Sequence, residues 1–382
     1  MSSNRILIYI SAAYIVTACT SIPTPAATID LNPPQEQGAA VIAPDEPDFS
    51  FDVTPTFVEG LSPPAFTLRG DMPVLARGRT WDSAFVFPGA VVFHDGLLHM
   101  FYQGSRGLEG ELPLNSIGYA VSLDGYVWQR ALDDPVQFSG EPDYSLRSLE
   151  ISSVLVEPDG TWVMYFTAWL EGGLFRSGVG RANAPDPTGP WTFAKSLALL
   201  TDNPERWDGS RIFSPQVIRT ATEYVMYYTG VDVNPRNPAL QIGRATSTDG
   251  ITWTKYDDPE TTGRRYEDSD PVLKVGQDSA WDATNVSNPQ VLRTAENWLM
   301  VYRGSFNESL GARTPGVGFA ASPEGIHWER FEGNPVFLPQ EVMPDFFFSS
   351  PVWLYFQNQH FLYFSAYDVT FSTQEIYLAI SQ

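Results

Sequence analysis

Residues Leu97 to Gly104 read LLHMFYQG, and four later stretches repeat the pattern: Thr161 to Ala168 (TWVMYFTA), Glu223 to Gly230 (EYVMYYTG), Asn297 to Gly304 (NWLMVYRG) and His360 to Ala366 (HFLYFSA). Their last residues lie 64, 62, 74 and 62 positions apart. Within each, side chains alternate in character over six to eight residues, which is the period of a β-strand. A shorter apolar run precedes each one: Ala90 to Phe93, Val154 to Val156, Gln216 to Ile218, Gln290 to Leu292 and Val352 to Phe356. The sequence therefore predicts five copies of an antiparallel hairpin.

A third run follows in most copies. Ile117 to Ser122 leads into Asp124-Gly125 and Trp128, Ile242 to Ser247 into Asp249-Gly250 and Trp253, and Val317 to Ser322 into Glu324-Gly325 and Trp328. The second copy is looser, with Val179 to Ala182, Asp186 and Trp191. Glycine supplies the positive φ that such hairpin turns demand. The Ser, Asp and Trp of these turns fix the turn and fill space between neighbours, so they are not site candidates. A fourth element is short: Pro135-Val136, Leu197 to Leu200, Pro271 to Leu273 and Pro335 to Phe337. The fifth copy ends on its third strand, Ile376 to Ile380, while Pro73-Val74-Leu75 stands unused at the front. The predicted fold is all-β, a five-bladed β-propeller over residues 71–382, closed by the N-terminal strand joining the last blade. Closure removes the edges that an open array would expose, and a monomer is expected.

Upstream the composition changes. Met1 to Asn4 and Arg5 precede an apolar run from Ile6 to Val16, too short for a bilayer span and suited to a signal peptide. Val16-Thr17-Ala18-Cys19 resembles the bacterial lipobox. That resemblance implies a signal peptide over 1–18 and a lipidated Cys19; a cleaved secretory peptide with an incidental cysteine, or a buried structural thiol, is the alternative. Residues 19–70 carry Pro-rich, acidic pieces without periodicity and read as a tether. The expected location is the cell envelope, anchored in the membrane by lipid, with the folded domain outside the cytoplasm. Cys19 is the only cysteine, so no disulfide or cysteine nucleophile is available. With 45 acidic against 23 basic residues, the net charge of -22 argues against nucleic acid and against direct contact with anionic headgroups. The four histidines show no ligand spacing, so neither a metal nor another cofactor is expected.

The repeat, with its S-x-D-G-x-x-W turns, PVL strands and Tyr-rich second strands, resembles the superfamily of glycoside hydrolase families 32, 43, 62, 68, 117 and 130. The resemblance covers nearly the whole folded part. It implies furanosidase, fructosidase, xylosidase or mannoside-processing chemistry at a central pocket, with an oligo- or polysaccharide as partner. Strand parity places residues before each first strand and after each second strand on one rim. Acidic residues there are Asp82, Glu150, Asp208, Asp282 and Asp345, with Arg147 and Arg211 nearby. Glycoside cleavage uses two carboxylates across the bond, with their pKa values split by environment.

In family 43 the carboxylates stand where this chain has Pro88, Ser152, Ser214, Asn288 and Ser350, none acidic. Phe87-Pro88-Gly89-Ala90 resembles a family 130 pattern, and Glu150-Ile151-Ser152-Ser153 resembles that family's Glu-Asp-Pro-Arg run with Ile151 in place of the aspartate. Trp81-Asp82, Trp207-Asp208 and Trp281-Asp282 recur at equivalent places, and repetition by symmetry more often marks a loop anchor than a reacting group. Glu150 has no acidic counterpart in the other repeats. Two readings follow. One is a glycoside hydrolase with Glu150 as acid or base, Asp82, Asp208 or Asp282 as its partner, and Trp81, Arg147, Ser152, Arg211, Ser214, Asn288 and Ser350 binding the sugar. The other is a non-catalytic carbohydrate-binding or protein-interaction propeller.

Overall fold

The computed structural model describes residues 63–381 apart from 110–111, 114–115, 173–175, 202, 233–238, 278–279, 306–314, 345 and 369–372. The signal segment, Cys19, most of the tether and Asp345 lie outside the described residues.

Five hairpins carry the architecture. Their inner strands are Phe85–His94, Leu146–Val156, Arg211–Arg219, Asn285–Arg293 and Phe346–Phe356. Their second strands are Leu97–Ser105, Trp162–Leu170, Tyr224–Val231, Trp298–Ser305 and Gln359–Asp368. Third strands at Ser116–Ser122, Ser177–Ala184, Leu240–Ser247, Gly316–Ser322 and Gln374–Ser381 pair antiparallel with the second. The outermost element is broken in two. One piece is a short strand after the turn: Gln129–Arg130, Trp191–Phe193, Thr254–Lys255 or Glu329–Arg330. The other holds the Pro-Val runs; Pro271–Leu273 and Leu199–Leu200 are strands, and Val136 N–H donates to Ile117 O at 2.9 Å. Among the described residues the helical pieces are Pro339–Val342 and the 3-10 turn Arg264–Tyr266, so the chain is nearly all β.

Strand alternation explains where the core lies. Leu98, Met100 and Tyr102 enter one cluster while Phe101, between them, enters another. Each hairpin thus feeds two apolar layers, one on either side. Five such layers exist, joining the first repeat to the second, the second to the third, the third to the fourth, the fourth to the fifth, and the fifth to the first. The N-terminal segment pairs with the final strand: Leu75 bridges Ile376, and Thr67–Leu68 pairs antiparallel with Ile380 and Ala379.

A tyrosine ties neighbouring repeats together. The Oγ of Ser122 accepts from Gly125 N–H while Asp124 accepts from Tyr126 and Val127 N–H, which locks the turn; Ser247 and Asp249 do the same for Gly250, Ile251 and Thr252. That turn leaves one glycine carbonyl facing the adjacent repeat. The hydroxyls of Tyr363, Tyr165 and Tyr227 donate to Gly125, Gly250 and Gly325 O at 2.8, 2.7 and 2.7 Å. The corresponding second-strand position is Phe101 where the next repeat has the looser Asp186 turn.

Candidate functional site

The three Trp-Asp pairs fold outward over their own repeats. Each tryptophan lies across the next-to-last residue of the second strand, Gly104, Gly230 and Gly304, where any side chain would collide with the indole. Each aspartate then reaches a tyrosine of the second strand and a cation of the outermost one. Asp82 accepts from Tyr102 at 3.3 Å and pairs with Arg130 at 2.7 Å; Asp208 accepts from Tyr228 at 3.0 Å and pairs with Lys255 at 2.6 Å; Asp282 accepts from Tyr302 at 3.0 Å and pairs with Arg330 at 2.9 Å. The aspartates are 2%, 1% and 1% exposed. This corrects the expectation of one shared rim: these three carboxylates are buried toward the outer strands, each closed by a hydroxyl and a cation. Trp81, expected to bind sugar, instead stacks on Tyr102 with centroids 5.8 Å apart and donates its N–H to Asp133 O.

Glu150 stands elsewhere. It lies on the inner strand of the second repeat, opposite Thr167. By the same register Phe87, Phe213, Ser287 and Ser349 occupy its place in the other repeats, opposite Gln103, Thr229, Arg303 and Ser365. Burial pushes the Glu150 carboxyl up to about 7, opposed only by a hydrogen bond with the Trp169 side chain. Glu150 and Arg147 form no ion pair with each other. Arg147 is half-buried at an irregularity where Ser148 and Leu146 pair with Trp169 and Leu170. Arg211 sits two residues before Phe213 on the adjacent inner strand, and burial lowers its guanidinium pKa.

Immediately after the Glu150 position every inner strand bulges, with two residues facing one. The bulges are Pro88-Gly89, Ile151-Ser152, Ser214-Pro215, Asn288-Pro289 and Ser350-Pro351. Ser152 is therefore one place out of step with Ser214, Asn288 and Ser350; Ile151 holds the equivalent position. Ser214, Asn288 and Ser350 adopt φ of 50°, 51° and 51°, a left-handed backbone that non-glycine residues seldom keep without support. Ser214 N–H donates to Thr167 Oγ1 at 2.9 Å, and Asn288 N–H donates to Thr229 Oγ1 at 3.0 Å. Asn288 Nδ2 in turn donates to Ser214 Oγ at 2.9 Å. Ser350 lies on the fifth repeat, with Ser349 Oγ 3.2 Å from its own.

The structure thus brings Glu150, Ser214 and Asn288 onto three consecutive inner strands, linked through Thr167, and leaves the three aspartates out. Sequence reading missed the partners Tyr102, Tyr228 and Tyr302, although each follows its aspartate by 20 residues. It also missed Arg130, Lys255 and Arg330, which stand two residues after the turn tryptophan. It passed over Trp169 and Phe213, which carry no motif. Chemically, the arrangement offers a proton-holding carboxyl, a hydroxyl and amide array, and an aromatic wall.

No protein-family model matches the chain. Over 105 residues it is 36% identical to a 1,2-β-oligomannan phosphorylase of Thermoanaerobacter sp. (strain X514), a match spanning 26% of this chain and about a third (34%) of that relative. A solved structure from the GH130 family of mannoside phosphorylases, which contains glycoside hydrolases that target β-1,2 mannosidic linkages in Candida mannan, superposes with a TM-score of 0.61 at 18% identity, covering 84% of this chain and 95% of the other. A thermostable family-43 glycoside hydrolase superposes with a TM-score of 0.56 at 13% identity, covering 78% and 92%. The chain shares the fold of the propeller-type glycoside hydrolases, with members of families 43 and 130 among its structural neighbours.

Proposed function

We propose that this chain is a carbohydrate-active propeller that holds an oligosaccharide at its inner mouth, with Glu150 as proton donor to the glycosidic oxygen. The observation that carries the reading is Glu150 itself: an inner-strand carboxyl with no acidic counterpart, kept protonated toward neutral pH by burial. A general acid works best with its pKa near the working pH. Burial raises its pKa and the Trp169 hydrogen bond lowers it. One acid with an external nucleophile suits this arrangement. As the anomeric C–O bond breaks, Glu150 gives its proton to the leaving oxygen, while an oxygen of phosphate bonds to the anomeric carbon; where water takes that place, it bonds through its oxygen and loses a proton to solvent. The names of the similar proteins point to β-1,2-linked mannosides as first substrates to try. Arg147 and Arg211 supply cationic character for a phosphate, and Ser214, Asn288 and Ser350 supply hydroxyl and amide partners for the sugar. Asp82, Asp208 and Asp282 serve as internal posts.

The binding-only reading is favoured by one observation: no bulge residue is acidic. Product release from β-1,2-mannobiose, with and without inorganic phosphate, by the wild type and Glu150→Gln separates the two. Turnover abolished by the substitution supports catalysis; binding without turnover in either protein supports the second reading.

Five blades in a closed ring are part of the same proposal, over residues 71–382. The apolar layer between the fifth and first repeats and the Leu75–Ile376 pairing support it. Cleavage after residue 18, lipidation of Cys19, a tether over 19–70, an envelope location and a monomeric state complete the reading; their support is the sequence alone.

A further inference from the structure

Most ring stacks follow the repeat. Trp81 on Tyr102, Trp207 on Tyr228 and Trp281 on Tyr302 are the same post three times. Trp169 and Phe213 form a further stack at other positions. The position of Trp169 is taken by Ser105, Val231, Ser305 and Tyr367 in the other repeats, and that of Phe213 by Phe87, Glu150, Ser287 and Ser349, so the second and third repeats alone bring a Trp and a Phe together here. The two rings belong to different repeats, lie within 26° of parallel and have centroids 6.5 Å apart. Both rings are half-buried, as are Trp81 and Trp281, whereas in each repeated post the tyrosine is fully buried (Tyr102, Tyr228 and Tyr302). Phe213 occupies Glu150's own register position on the next strand, and Trp169 pairs opposite Ser148, two residues from Glu150 and on the same face. Ser214 follows Phe213 directly, and Asn288 Nδ2 donates to its hydroxyl.

We propose that Trp169 and Phe213 form a sugar-stacking platform beside Glu150, on which a saccharide ring lies face-on while its hydroxyls meet Ser214 and Asn288. The proposal rests on the assignment of the inner mouth as the sugar site. The C–H bonds on a sugar's face pack on π-electron density, and its equatorial hydroxyls need donors and acceptors around the edge. A half-buried aromatic pair followed by a hydroxyl-amide pair supplies both. Trp169 has a second task as a positioning residue, because its side chain is the hydrogen-bond partner of Glu150.

The test is calorimetric titration of β-1,2-mannobiose and xylobiose into the full-length protein, its Phe213→Leu, Trp169→Phe, Trp169→Ala and Glu150→Gln variants, with unfolding curves confirming that each is folded. Phe213→Leu keeps apolar bulk and removes the π face; it and Trp169→Ala are expected to weaken binding of the preferred disaccharide at least tenfold. Trp169→Phe should bind within about threefold of wild type yet move the pH dependence of binding or turnover upward, since the bond that lowers the Glu150 pKa is gone. Wild-type affinity in Phe213→Leu and Trp169→Ala overturns the platform while leaving Glu150 as acid untouched. Lost affinity in those two variants, with no turnover in the wild type, keeps the platform and sinks the catalytic reading. No binding of either sugar by the wild type overturns both.

Discussion

Asp208→Asn separates a structural post from a catalytic carboxylate. The side chain keeps its shape but loses its charge, and one acceptor becomes a donor. Asp208 is 1% exposed, its Oδ2 lies 2.6 Å from Lys255 Nζ, and it accepts from Tyr228 at 3.0 Å. Stripping one partner from a buried pair costs about 3–5 kcal/mol, because the other charge is left without compensation. The Lys255 side chain retains 20% of its exposure and can turn toward water, which places the loss at the lower end. A loss of about 3 kcal/mol corresponds to a fall of roughly 6 °C in Tm for a domain of this size. Scanning calorimetry of the full-length protein reads it, alongside disaccharide affinity at 25 °C. The expected result is the lower Tm with affinity unchanged. Adding Lys255→Met should recover much of the loss by removing the orphaned charge. An unchanged Tm together with lost turnover would refute the assignment of Asp208 as a post.

Tyr165→Phe and Tyr227→Phe each leave a buried glycine carbonyl without its side-chain donor, so each should destabilise by about 1–2 kcal/mol, measurable in urea melts. Tyr363→Phe should cost less, about 0.5–1 kcal/mol, because Trp128 Nε1 still donates to Gly125 O; the three sit at separate interfaces and should add. Tyr363→Phe also probes closure, because its bond joins the fifth repeat to the first; no effect there would contradict the ring. His360 is held down to about 4, from 6.5, by burial, and its Nδ1 accepts from Trp353 Nε1 at 3.2 Å. The unfolded chain takes up that proton first, so the stability His360 contributes is complete above about pH 6.5 and is lost as pH falls toward 4. His360→Gln should flatten that part of a stability-against-pH curve, and an unaltered slope would exclude the group. Cys19→Ala should move the protein from the membrane to the soluble fraction, as read by fractionation and blotting; full membrane retention would exclude a lipid anchor at that residue.

The repeats were legible because strand alternation and the Asp-Gly turns recur at nearly constant spacing, and that periodicity is local. The positions of Asp82, Asp208 and Asp282 were harder to read. Parity places a residue on a loop at one end of the sheet but says nothing of whether the loop folds toward the axis or away from it. Packing on Gly104, Gly230 and Gly304 decides that, and the cations that receive the aspartates lie 47 or 48 residues further on. The two-residue strands carrying those cations are too short to show a period. Glu150 stood out by asymmetry alone, but its neighbour Trp169 is set by the hairpin register of its own repeat, which irregularities at Tyr165/Phe166 and Trp169/Leu170 hide from the sequence. Ser152 was also misplaced, because the hairpin turn of the second repeat is one residue longer (Val156 pairs with Trp162, Arg219 with Tyr224), which shifts Ser152 out of register with Ser214.

The central claim is that Glu150 is the proton donor, and its most direct test is the pH dependence of kcat/KM on β-1,2-mannobiose, with and without inorganic phosphate, in wild type and Glu150→Gln. A carboxyl raised to about 7 acts while protonated, so activity should be full below pH 7 and fall as the pH rises through it. In Glu150→Gln the rate should drop about 100-fold or more and that limb of the profile should vanish, with sugar affinity preserved. Equal rates in the two proteins, or a limb near pH 7 that survives in Glu150→Gln, would contradict it.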